Sequence, residues 1–176
     1  MINERPTILL SCAVIATGLV FGCSKSSDAT PVQSSLTTST RGNLEEAASA
    51  YEAIRGSLAR DRSDVRAQAL ALANAAQAAA TSAPEAIRQP LGDLSSASRR
   101  LAGLERDDLE GARRAFGDVS RAWISVLSAE PSLQQGKQVY ECPMAKGYKR
   151  WVQVGKEASN PYLGSEMLQC GNKIDF

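Results

Sequence analysis

The chain has 176 residues, with 20 basic residues against 19 acidic ones and no histidine, for a formal net charge of +1. Without histidine there is no Ser–His or Cys–His nucleophilic pair and no carboxylate–histidine metal site of the kind built inside helix bundles. Charge this evenly balanced, with no polycationic stripe, also argues against nucleic acid as a partner.

Arg5 and the terminal amine give a weakly positive start, partly offset by Glu4, and residues 7–21 then run without a charge. That run of about 15 residues falls short of the roughly 20 that a transmembrane helix requires. It suits the apolar region of a secretory signal. It ends in Val20-Phe21-Gly22-Cys23, which resembles the lipobox of bacterial lipoproteins. The resemblance implies that residues 1–22 are removed as a signal peptide and that Cys23 is lipidated and becomes the new N-terminus. It also places the protein in the cell envelope, and Ser24 after the cysteine favours the outer membrane facing the periplasm. Acyl chains contribute about 0.8 kcal/mol per buried methylene, and more than one makes the anchor stable. Residues 23–43, Ser/Thr-rich and without an apolar period, are expected to form the lipidated cysteine and a flexible tether.

From residue 44 to residue 130 the pattern is helical. Asn43 with Glu46 reads as a capping box, after which Leu44, Ala47, Tyr51, Ile54 and Leu58 share one face. The charged run Arg60-Asp61-Arg62 ends this first helix, and a second beginning near Ser63 carries Val65, Ala69, Leu72, Ala76 and Ala79 on one side. Ser82-Ala83-Pro84-Glu85 reads as a third start, with Ser82 as the cap. Ile87, Leu91, Leu94, Ser98 and Leu101 follow at helical spacing, with Pro90 inside the run predicting a kink or a false first turn. Asp107 with Glu110 opens a fourth helix whose stripe runs Leu109, Ala112, Phe116, Val119, Trp123, Val126, until Glu130-Pro131 stops it. No stripe is wide enough to stand alone, so the four must share one core. Short connections predict an up-and-down antiparallel four-helix bundle, hence an all-α fold. Phe116 and Trp123 are its expected centre.

Residues 131–176 differ. Lysine appears, aromatic residues become dense and helical periodicity is lost. A mostly irregular segment is expected there, with a short strand at Trp151-Val152-Gln153-Val154. A segment this small needs to pack on the bundle or be cross-linked. Of four encoded cysteines, Cys12 leaves with the signal and Cys23 takes the lipid, so Cys142 and Cys170 remain.

Cys142-Pro143-Met144, then Trp151, then Asn160-Pro161-Tyr162-Leu163-Gly164, then Met167-Leu168-Gln169-Cys170-Gly171 resemble the signature of an uncharacterised bacterial envelope domain family. Its members occur as small lipoproteins and at the end of some heavy-metal efflux periplasmic adaptor proteins. The resemblance covers about residues 44–176, with the distinctive residues in the last 40 or so. It implies heavy-metal handling, of copper or a similar soft ion, and an efflux complex or another envelope protein as partner. The family pattern has His where Glu141 stands and an aromatic where Leu163 stands. If that His is a ligand, Glu141 weakens or alters metal binding.

The residues themselves leave two chemistries open. Met144 and Met167 are the only methionines besides Met1, each two or three positions from a cysteine. Two thiolates and two thioethers, from Cys142, Met144, Met167 and Cys170, form a soft donor set that selects Cu(I). Outside the cytoplasm, Cys142 and Cys170 can instead form a disulfide. It would close a loop of about 29 residues, for which chain entropy gives about 3.6 kcal/mol, and leave Met144, Met167 and Trp151 as ordinary packing. Gly155-Lys156 lacks P-loop spacing, Gly164-Ser165-Glu166 is not a nucleophile elbow, and no catalytic residue is expected. The expected function is a non-enzymatic accessory to metal homeostasis or efflux. The alternative is a structural or interaction lipoprotein in which Cys142–Cys170 is only a staple.

Overall fold

The computed structural model describes residues 36–176, within a compact unit spanning Gln33–Phe176. The signal peptide, Cys23 and most of the expected tether lie outside the described residues. Four helices come first: α1 Thr38–Leu58, α2 Arg66–Ala80, α3 Glu85–Ala102 and α4 Leu109–Ala129. α1 packs on α2, α2 on α3 and α3 on α4, whereas α1 and α4 meet over only a few residues. Each expected stripe is the buried face of its helix, with Leu109 at the edge of the fourth only half-buried. Phe116 and Trp123 are fully buried, and Tyr51 stacks against both at centroid distances of 5.2 and 6.1 Å.

The helix starts depart from expectation. α1 begins six residues before Leu44, capped by the Thr37 hydroxyl, which accepts from the Thr40 N–H at 3.0 Å. Thr40 is wholly buried, its hydroxyl 2.8 Å from that of Ser82 in the α2–α3 turn. Residues 38–43 are therefore helix and not tether, and Ser82 is an interhelical partner while Pro84 occupies the cap position of α3. Asp108, not Asp107, caps α4, accepting from the Gly111 N–H at 2.7 Å. α3 runs through Pro90 without a false start. The proline sits within two turns of the N-terminus, where it forfeits only the bond to the Ala86 carbonyl.

The all-α expectation is overturned in the C-terminal part. β1 Gln138–Glu141, β2 Arg150–Gln153 and β3 Asn172–Ile174 form a three-stranded antiparallel sheet in the order β2-β1-β3. The register pairs Val139 with Val152 and with Ile174. Strands of three and four residues are too short to show a period. Val139, Tyr140, Trp151 and Val152 are buried, and β2 lies on α4 and touches α1. The sheet closes the side where α1 and α4 are not in close contact.

Among the described residues β2 has no strand on its outer edge, and two tyrosines bond to that edge instead. The Val152 N–H donates to the Tyr51 hydroxyl at 3.1 Å, and the Tyr162 hydroxyl donates to the Arg150 carbonyl at 2.6 Å. Two outward-facing backbone groups of β2, one N–H and one carbonyl, are thereby satisfied without a partner strand. Burial makes both phenols weaker acids than an ordinary tyrosine, pushing their pKa values up, so they stay protonated.

Candidate functional site in the C-terminal cap

Residues 131–176 form a cap on the helices, and the sulfur-containing residues lie at its strand ends. Cys142 directly follows β1 and is fully buried, and Cys170 closely precedes β3. Their sulfurs form a disulfide, with the Cα atoms 5.5 Å apart, a separation such a bond requires. The Cys142 N–H also donates to the Lys149 carbonyl at 3.1 Å, extending the β1–β2 ladder.

Most of the signature residues are consumed by the architecture. Asn160 is wholly buried and organises the Asn-Pro-Tyr-Leu-Gly turn. Its side-chain oxygen accepts from the N–H groups of Tyr162 and Leu163 at 2.8 and 3.2 Å, its amide donates to the Cys170 carbonyl at 2.8 Å, and its backbone N–H donates to the Leu168 carbonyl. The Tyr162 ring packs between Phe116 of α4, tilted at 5.9 Å, and Trp151 of β2, edge-on at 6.1 Å. Gly164 has φ +55°, and a Cβ there would fall 1.9 Å from an Asp61 carboxylate oxygen, so only glycine fits. A Cβ on Gly171 would lie 2.5 Å from the Trp151 ring. Gln153, buried though outside the signature, accepts from the Trp151 indole and the Ser159 N–H and donates to the carbonyls of Gly155 and Glu157.

The methionines behave differently. Met144 is 63% exposed and Met167 39%, so neither is ordinary packing. The thiolates of the expected soft donor set are joined as a disulfide, and a sulfur bonded in this way offers no thiolate to a metal. Among the described residues no three His, Cys, Asp or Glu side chains converge as a metal-binding group, and thioethers stand outside that donor set. Glu141 pairs with Arg150 across the β1–β2 ladder at 2.6 Å. Both side chains are substantially exposed, so this pair contributes little to stability.

Several residues that fix the cap to the helices carry no local sequence signal. The Arg55 guanidinium donates to the Ser159 carbonyl at 2.7 Å while paired with Glu52. Arg113 reaches the carbonyls of Pro161 and Leu58, both at 3.2 Å, and the Asp61 carboxylate at 2.5 Å. Asp61 in turn accepts from the Ser165 N–H at 3.2 Å. The bonds from Ser165 and Arg113 hold its carboxyl below the ordinary value. Asp61 has φ +58°, which a short polar side chain tolerates better than most. The charged run that reads as a helix terminator therefore holds the residue that latches α1 to the cap.

Between the start of α4 and the Cys142–Tyr148 turn lies a cleft of about 630 Å³. Leu109, Met144, Tyr148, Tyr162 and Leu163 supply apolar surface, and Arg113, Arg114, Lys146, Glu110 and Glu166 supply charge. Tyr148 is held by Arg121, whose guanidinium lies 4.8 Å from the ring centroid, and by Gly117, whose missing side chain lets α4 approach the tyrosine closely. Among the described residues no helix is long and apolar enough to cross a membrane. Comparison with family models, with curated proteins and with solved structures finds no match for this chain.

Proposed function

We propose that the chain is a non-enzymatic envelope lipoprotein, lipidated at Cys23, that serves as an accessory to soft-metal homeostasis or efflux through the exposed face of its C-terminal cap. In this reading the helices form an up-and-down antiparallel bundle that acts as a scaffold, and the cap meets an efflux complex or another envelope protein. The observation that carries it is the division within the signature. Cys142, Trp151, Asn160, Tyr162, Gly164 and Gly171 are spent on building the cap, while Met144 and Met167 face solvent close to either end of the disulfide. Neither thioether is enclosed in the core, and thioethers are ligands that favour Cu(I).

A Cu(I) titration of the full chain, oxidised and reduced, tests the metal part. The oxidised protein is expected to bind through its thioethers and to lose binding in Met144→Leu with Met167→Leu. The reduced protein is expected to bind about one equivalent and to protect both thiols from alkylation. Failure in both states leaves the alternative, an interaction lipoprotein in which Cys142–Cys170 only staples. The complete burial of Cys142 supports that second reading. Intact-mass analysis tests the anchor: an unmodified mature N-terminus at any other residue would remove it.

A further inference from the structure

We infer that the cleft between α4 and the Cys142–Tyr148 turn binds a small organic anion with an apolar body, such as an aryl- or alkyl-carboxylate. Its volume, about 630 Å³, falls in the range of small-molecule sites, and it lies where two structural layers meet, as such sites commonly do. The wall combines the rings of Tyr148 and Tyr162 with Leu109 and the Met144 thioether. An unbranched, exposed methionine beside two aromatic rings is an adaptable surface for an apolar group.

The sign of the ligand's charge follows from how the lining charges are committed. Arg114 is paired with Glu110 at 2.5 Å on the cleft rim. Arg113 is held on three sides through Nε and Nη2 by the Pro161 and Leu58 carbonyls and by Asp61. Its Nη1 makes no hydrogen bond among the described residues, so a rigid guanidinium presents donors that are still free. Lys146 has no hydrogen bond or ion pair among the described residues either. Glu166 is the one lining carboxylate without a cationic partner, and it is exposed to water, where its charge is strongly screened. A carboxylate bound at Arg113 Nη1, within reach of Lys146, gains a charge-assisted hydrogen bond from a donor that is already ordered.

The test compares 4-phenylbutyrate, 4-phenylbutylamine and 4-phenylbutanol on the oxidised full chain. These three share one apolar body and differ in charge, and binding is followed by ligand-observed nuclear magnetic resonance. The acid is expected to bind tightest. Met144→Glu, which puts a carboxylate on the wall at a residue the fold does not use, is expected to weaken the acid about tenfold, and Lys146→Glu several-fold. An unchanged thermal midpoint in both variants shows that the loss is local. Equal or tighter binding of the amine, binding of the acid that neither variant changes, or no binding of the acid at millimolar concentration would each overturn the inference.

Discussion

Along α2 the buried residues are Ala69, Leu72, Ala73, Ala75, Ala76 and Ala79, and no side chain caps its N-terminus. In the cap, by contrast, the single residue Asn160 makes five hydrogen bonds, to Tyr162, Leu163, Gly164, Leu168 and Cys170. The helices are held by apolar contact spread over many small side chains, so each residue matters by the area it buries. The cap has a modest core and is held by a few polar bonds, one disulfide and glycines that admit close approach. Its residues matter by identity, and a change of the same size should act differently in the two places.

The largest expected effect tests the helical side. Trp123→Ala should cost about 4 kcal/mol, the range for a fully buried large aromatic, read as a fall in the denaturant midpoint at unchanged slope. A midpoint that does not move would show that the core is not centred where Tyr51, Phe116 and Trp123 meet. On the cap side, Cys142→Ala with Cys170→Ala should cost about 3.6 kcal/mol from loop entropy alone. Protease should then cut in residues 131–176 before it cuts in the helices. Simultaneous loss of both regions would show that the cap and helices unfold as one.

Asn160→Ala is expected to cost about 3 kcal/mol although it removes few atoms, because buried donors and acceptors lose their partner. Ala76→Gly in α2 should cost no more than about 1 kcal/mol. Equal costs would erase the contrast between identity and area. Ser98 gives the contrast in reverse: its hydroxyl is buried in α3 with no hydrogen-bond partner among the described residues. Ser98→Ala should therefore stabilise the chain by about 1 kcal/mol, measured as a raised thermal midpoint.

The smallest effect concerns the latch. Because the bonds from Ser165 and Arg113 hold the folded carboxyl of Asp61 below the ordinary carboxylate value, its contribution is fully present above that value. It is lost as pH falls through the lowered one. Asp61→Asn, which keeps tolerance of positive φ, should lie below the parent near neutral pH and converge on it in acid. A difference that persists in acid would assign the latch to shape and not to charge.

Legibility in the sequence divides along the same line. The buried faces of the helices can be read from periodicity because Tyr51, Leu72, Leu94 and Phe116 each belong to a stripe four or more residues long. Their starts cannot, because Thr37 and Asp108 are selected over Asn43 and Asp107 by where the chain packs, and Thr40 and Ser82 find each other across 42 positions. In the cap, counting cysteines brings Cys142 and Cys170 together, and the family likeness marks Asn160 and Gly164. The sheet is hidden by its short strands. The roles of Asp61, Arg55 and Arg113 are hidden by distance, since their partners lie 48 to 104 residues away.

The chain of rings running from Trp123 through Tyr51, Phe116 and Tyr162 to Trp151 and Tyr140 has an optical consequence. The protein contains two tryptophans, one in each region, both fully buried. Their intrinsic emission therefore comes from two separate and sheltered environments. In Trp123→Phe the remaining fluorophore watches the cap, with Gly171 and the adjoining disulfide beside its ring. In Trp151→Phe it watches the helices. Red-shifted emission from the first variant, with none from the second, would mark the cap lifting away while the helices stay closed, recorded without any added label.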